Sequence, residues 1–140
     1  SGRGLRDRNS TLWASWTILA SSARVYFSGD SGYGPHFEAI GRRFGPFDLT
    51  MMECGQYNEL WRAIHSMPED SVRAHRDLRG EVLLPIHWGA FTLAPHAWTE
   101  PIERLRGAAE AEGVRLALPR IGERVFPRGD LPRRNIMEAV

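Results

Sequence analysis

The stretch Val25-Tyr26-Phe27-Ser28-Gly29-Asp30-Ser31-Gly32-Tyr33-Gly34-Pro35-His36 decides how this chain is read. A short β-branched and aromatic run stops at a carboxylate and enters a glycine-rich turn, the pattern of a strand that delivers an acid to a loop. Gly29, Gly32 and Gly34 fall as G-x-x-G-x-G. That is the wrong spacing for a dinucleotide-binding turn, and no G-K-[ST] follows to cradle a phosphate. The acid is therefore the chemical feature, because loops at strand ends are where ligand-binding and catalytic groups sit. From these residues alone Asp30 reads first as an Asp that starts a turn, with a ligand or catalytic role as the alternative.

Working outward, the strand over 24–28 has partners on both sides. Thr11 to Leu19 alternates, with Leu12, Ala14, Trp16 and Ile18 on one face and Trp13 opposite, and the small-residue turn 20–23 joins the two runs as a hairpin. Downstream, Phe37, Ile40 and Phe44 lie at helical spacing behind Pro35, which predicts a helix over 35–44 ended by Gly45-Pro46. Phe47 to Glu53 reads as a third strand, and 54–64 as a long loop carrying Tyr57 and Trp61. Ser66-Met67-Pro68-Glu69 fits a capping box, predicting a helix over 67–78 with Gly80 as its C-cap. Glu81 to Ile86 is a fourth strand, whose Pro85 suggests an edge or a bulge. Ile102, Leu105 and Ala109 face inward on a helix from Thr99 to about Glu112. Val114 to Leu118 and Glu123 to Phe126 read as the last strands, and Pro127 onward as a frayed tail. Strands alternating with helices make the class α+β or α/β.

Composition bounds the rest. At 140 residues, 42% hydrophobic and 25% charged, the chain has one domain's worth of core. A net charge of +1 with scattered basic residues gives no electrostatic case for nucleic acid. Every basic residue is Arg, which excludes lysine Schiff-base chemistry. The lone Cys54 forms neither an internal disulfide nor a cysteine zinc cluster. No apolar span is long enough to cross a bilayer and no export signal opens the chain, which points to a cytoplasmic location. Ser1-Gly2-Arg3-Gly4 in place of an initiator Met suggests a processed or excised piece of something longer.

Two polar residues, Asp30 and His87, stand where strands end. Carboxylate oxygen and imidazole nitrogen are both zinc ligands, but two ligands do not complete a site. His65, ahead of the capped helix, reads as a proton shuttle or a half-buried loop residue. His75, among Arg73, Arg76 and Asp77, reads as a solvated helix face; His36 as neutral and exposed; His96 as packed. Trp13, Trp16, Trp61, Trp88 and Trp98 read as core or pocket wall.

Four segments in order carry a resemblance: Ser28-Gly29-Asp30-Ser31-Gly32-Tyr33-Gly34-Pro35-His36-Phe37, Glu53-Cys54-Gly55-Gln56-Tyr57-Asn58, His65-Ser66-Met67-Pro68-Glu69 and Ile86-His87-Trp88-Gly89-Ala90-Phe91. With Ser1 to Asn9 and Thr11-Leu12-Trp13 they resemble the metallo-β-lactamase superfamily, in its branch of N-acylphosphatidylethanolamine-hydrolysing phospholipase D. The likeness runs to about Val125. It implies the C-terminal half of an αββα sandwich, one mixed sheet with helices on one face, over 1–126, followed by a tail over 127–140. It implies that Asp30 bridges two divalent metal ions, zinc in the complete enzyme, that His87 ligates one of them, and that His65 handles a proton or orients substrate. The family's H-x-H-x-D-H signature is absent from this sequence, and the branch's usual I-G-A-Y reads Cys54-Gly55-Gln56-Tyr57.

The expectation is thus the C-terminal part of a dinuclear metal-dependent hydrolase acting on phosphodiesters, inactive alone and binding little or no metal, whose intact form takes a small-molecule or lipid-like substrate. A lactone or ester hydrolase on the same metal framework is the second reading. A non-catalytic binding or assembly module is the third. A half-sandwich bares one sheet face, so self-association through that face is expected.

Overall fold

A computed structural model describes residues 14–91 and 93–132. Its strands are β1 (Trp16–Leu19), β2 (Arg24–Phe27), β3 (Phe47–Glu53), β4 (Gly80–Ile86) and β5 (Arg115–Leu116). The helices are α1 (His36–Phe44), α2 (Pro68–Asp77) and α3 (Glu100–Ala111), with a 3₁₀ turn at Glu59–Trp61. The strands form one mixed sheet in chain order, β1 antiparallel to β2 and β2 through β5 parallel. This is the expected α+β half-sandwich.

The strand order explains where the helices go. Each parallel pair is joined by a helical crossover, and such crossovers are right-handed almost without exception. When successive strands add on the same side, every helix lands on the same face. Tyr26, Thr50 and Leu83 are register partners on that face, and all three are fully buried. Phe37 of α1, Val72 and Ala74 of α2, and Ile102, Leu105 and Ala109 of α3 close over them in a single core. The sequence periodicity located Phe37, Ile102, Leu105 and Ala109 correctly.

Among the described residues the opposite face has no such cover. Trp16, Phe27, Met51 and Leu84 form one cross-strand row, and Ile18, Val25, Leu49 and Val82 a second. Trp16 and Ile18 are 65% and 54% exposed, and of the eight only Val82 is buried. Apolar residues aligned across four strands and left half-wet mark a surface that fits a further layer.

Several local readings are corrected. No capping box forms: Met67 precedes the first turn, the Ser66 hydroxyl donates to Ser31 O, and Glu69 pairs with Arg104 instead. The left-handed residue after α2 is Arg79 (φ 60°), and Gly80 starts β4. Pro85 lies inside the sheet opposite Met52, past the end of the two-residue β5, where no neighbour requires its missing N–H. Residues 123–126 are irregular and no strand forms there. Of the segment read as a fray, residues 127–132 are described, and there Arg128 donates to Asp48 and the Pro132 carbonyl accepts from Leu118 N. Trp16 and Trp61 are exposed, not core, whereas Trp98 lines a small pocket with Gln56 and His96. Trp13 and the opening motif fall outside the described residues. Among the described residues no helix is long and apolar enough to cross a membrane.

His75 is the sharpest correction, because it is 2% exposed instead of solvated. Its Nδ1 lies 2.6 Å from Thr50 Oγ1 across the α2–sheet contact. Burial first, and the neighbouring Arg76 charge second, lower its pKa from 6.5 to about 4. The unfolded chain therefore holds more protons than the folded one between those values, so acid favours unfolding there. Stability is full above pH 6.5 and falls as pH drops toward 4, by at most about 3 kcal/mol from this group. Urea titrations across that range are expected to show this slope. His75→Gln is expected to lose stability at neutral pH and to flatten the dependence; an unchanged slope would remove His75 as its cause.

Candidate metal centre

Parallel strands deliver their carboxyl ends to one edge of the sheet, and that edge gathers the polar residues. Asp30 follows β2, Glu53 ends β3, and His87 follows β4. His65 comes from the connection between the 3₁₀ turn and α2. His87 Nδ1 lies 3.5 Å from Asp30 Oδ1 and 3.1 Å from Glu53 Oε2. His65 Nδ1 lies 2.9 Å from the same Glu53 Oε2. The two imidazole rings are 5.6 Å apart between centroids. Glu53, His65 and His87 each offer a ligand-type atom within 4.8 Å of the others. The structure thus brings Asp30, His65 and His87, separated in sequence, to one place.

Glu53 was not singled out from the sequence. The rule that selected Asp30 and His87, a polar residue where a strand ends, selects it equally. It is 2% exposed, whereas Asp30, His65 and His87 side chains retain 47%, 20% and 33% of their exposure. The open groups can meet a ligand; Glu53 is enclosed by the protein.

Two close approaches hold the loops in place. A Cβ on Gly32 would sit 2.3 Å from Arg62 O and 2.6 Å from Ala63 C, so only glycine lets the Asp30 loop press on the segment leading to His65. A Cβ on Gly55 would sit 2.0 Å from His87 O. Gly55 thereby lets the chain after Glu53 lie against the His87 backbone. His87 itself has φ 63°, the left-handed region that costs a non-glycine residue of order 1 kcal/mol. The site's ring contacts are the visible reason for that conformation.

The remaining histidines stay apart from this cluster. His96 stacks on Tyr57 at 4.3 Å, packed as expected. His36 Nε2 lies 3.4 Å from Ser31 Oγ, and desolvation lowers its pKa, in line with a neutral ring. Cys54 is fully buried, and its thiol is pushed well above the ordinary range by desolvation and then by the Glu53 charge, which leaves it unreactive. Large apolar side chains that flank the two histidines in sequence are exposed: Leu60, Trp61 and Ile64 before His65, and Phe91, Leu93 and Trp98 after His87.

The donor set, carboxylate oxygen with imidazole nitrogen, suits zinc and neighbouring divalent transition metals. The residues present fit such an ion but do not by themselves fill a coordination shell.

Comparison with known proteins shows the family and the fold. The model of a family described as the β-lactamase superfamily domain matches residues 1–88. An uncharacterized protein of Mycobacterium tuberculosis is 52% identical over 134 residues, covering 94% of this chain and 36% of its own length. N-acyl-phosphatidylethanolamine-hydrolyzing phospholipase D 1 of Caenorhabditis elegans is 34% identical over 113 residues, 78% of this chain and 32% of its own. The structure of Igni18, a metallo hydrolase of the archaeon Ignicoccus hospitalis, superposes with a TM-score of 0.57 at 21% identity over 74% of this chain and 40% of its own. The chain spans about a third of the length of the two relatives.

The loop packing is open to test. Gly55→Ala is expected to cost about 1–3 kcal/mol in urea denaturation and to displace the His87 loop, seen as shifts of the His87 ring resonances. Gly107→Ala on α3, where an added Cβ meets nothing within 4 Å, is expected to gain up to ~1 kcal/mol and leave His87 unmoved. Equal effects of the two changes would reject the close-approach account.

Proposed function

This chain belongs to the metallo-β-lactamase superfamily, and from that premise we propose that it supplies one side of the active site of a metal-dependent hydrolase. The observation that carries the reading is the gathering of Asp30, His65 and His87 at the carboxyl ends of neighbouring parallel strands. In this reading the half-domain spans 1–126, with 127–140 as its tail. Segments outside this stretch, in a protein as long as the relatives, contribute the remaining ligands. Asp30 and His87 would help to hold divalent ions, zinc by donor preference. Bound there, such ions supply Lewis acidity and make water a nucleophile at neutral pH.

The chain's own residues do the rest. Asp30 brings an exposed negative charge that a dication needs for neutrality. His65, partly exposed and hydrogen-bonded through Nδ1, has Nε2 to give or take a proton at the leaving group or to orient the substrate. The exposed apolar side chains Leu60, Trp61, Phe91 and Leu93, close in sequence to the two histidines, favour an amphiphilic or lipid-like substrate over a fully polar one. A phosphodiester is the leading substrate class, supported by the name of the nematode relative. A lactone or ester is the second, on the same ligands. The bare sheet face supports one further element of the proposal: the stretch alone self-associates through Trp16, Phe27, Met51 and Leu84, and is inactive. A cytoplasmic location completes it.

In the full-length protein, about two transition-metal ions per chain are expected by elemental analysis, and little or none on the 140-residue stretch alone. Asp30→Ala in the full-length protein is expected to lower kcat/KM on phosphodiesters by roughly three orders of magnitude, the several kcal/mol a Lewis-acid site contributes. Turnover of lactones without phosphodiesters would move the assignment to the second class, and stoichiometric metal on the isolated monomer would contradict the divided site. Light scattering on the stretch is expected to show association rising with concentration; a strict monomer would remove the face-to-face packing.

A further inference from the structure

Glu53 takes no part in the reading above, yet its bonding is the most complete in the site. Its Oε1 accepts from Ser31 N at 3.1 Å and from Ser66 N at 2.9 Å. Its Oε2 faces His65 Nδ1 at 2.9 Å and His87 Nδ1 at 3.1 Å. A carboxylate has about four acceptor positions and no hydrogen to give. All four are taken. On distance alone Glu53 counts as a third metal ligand beside the two histidines, but coordination would strip it of donors it already holds, in a place where water does not replace them.

The same geometry sets the hydrogens on the rings. A bare Nδ1 lone pair aimed at a carboxylate oxygen at these distances is repulsive, so both Nδ1 atoms carry hydrogen. A neutral imidazole with hydrogen on Nδ1 has its lone pair on Nε2. We propose that Glu53 is a positioning residue: one buried carboxylate fixes His65 and His87 together as Nδ1–H tautomers, and so reserves both Nε2 atoms for the cation and the substrate proton. The two rings are coupled, because they share a single oxygen atom. Loss of either leaves the other with an incompletely balanced buried charge. Carboxylates that accept from the far nitrogen of a metal-facing histidine commonly change metal affinity by about 10–100-fold when removed. Here a single group serves one ring proposed to hold metal and one proposed to move a proton.

The tautomer assignment rests on the gathered histidines alone, while the use of the two Nε2 atoms rests on the hydrolase reading; the test needs neither metal nor substrate. Long-range ¹H–¹⁵N spectra of the metal-free 140-residue chain, taken well above the ordinary histidine pKa, report which ring nitrogen carries hydrogen. For the wild type the expected result is hydrogen on Nδ1 in both His65 and His87. Hydrogen on Nε2 in either ring overturns the proposal, whatever any variant does. Glu53→Gln keeps the shape, and with its carbonyl toward the Ser31 and Ser66 amides it presents amide hydrogens to the two Nδ1 atoms. Both rings are then expected to switch to Nε2–H. Rings unchanged in a folded variant would overturn the positioning role. Should the variant not fold, the wild-type spectrum alone decides.

Discussion

A carboxylate at the end of β3 has been taken out of water, and the arrangement of the whole site follows from what that demands. An ion of this size loses several kcal/mol of hydration on burial unless donors replace the water. Glu53 finds them on three different loops: Ser31 after β2, His65 and Ser66 ahead of α2, and His87 after β4. Its backbone is bound as firmly, the N–H donating to Ser28 Oγ and the carbonyl accepting from Ser71 Oγ. No one of these loops has much regular structure of its own. What registers them against each other is that each must deliver a donor to the same buried group.

The sheet determines what such a hub can reach. Three successive parallel pairs place Asp30, Glu53 and His87 at one edge, because parallel strands all end on the same side. The same topology sends every helix to one face and leaves two rows of apolar side chains on the other. Site and bare face are therefore products of one constraint, the handedness of the crossovers. Gly32 and Gly55 complete the edge by letting backbone meet backbone where a methyl group would not fit.

Much of the fold was legible from residue pattern. The strand ending before Asp30, the helix behind Pro35 and the inward stripe Ile102, Leu105 and Ala109 all follow from periodicity and punctuation, and all are present. The failures share a cause. Ser66 and Glu69 have the spacing of a capping box, but Ser66 bonds to Ser31 O and donates its amide to Glu53, while Glu69 is engaged by Arg104. His75 sits among charged neighbours in sequence, yet α2 turns it onto Thr50. In each case a partner distant in sequence outbid the local preference.

The sequence by itself determined the class of the fold, the acid at the end of one strand and the imidazole at the end of another, because alternation, capping and motif order are properties of neighbouring residues. Only the tertiary structure decided that Asp30 and His87 approach within 3.5 Å, that His65 joins them, and that Glu53 stands between the rings. Convergence depends on strand order and on how tightly loops can pack, and a buried charge reveals its role only when its donors are known. Those donors come from positions 31, 65, 66 and 87, which no local reading connects to position 53.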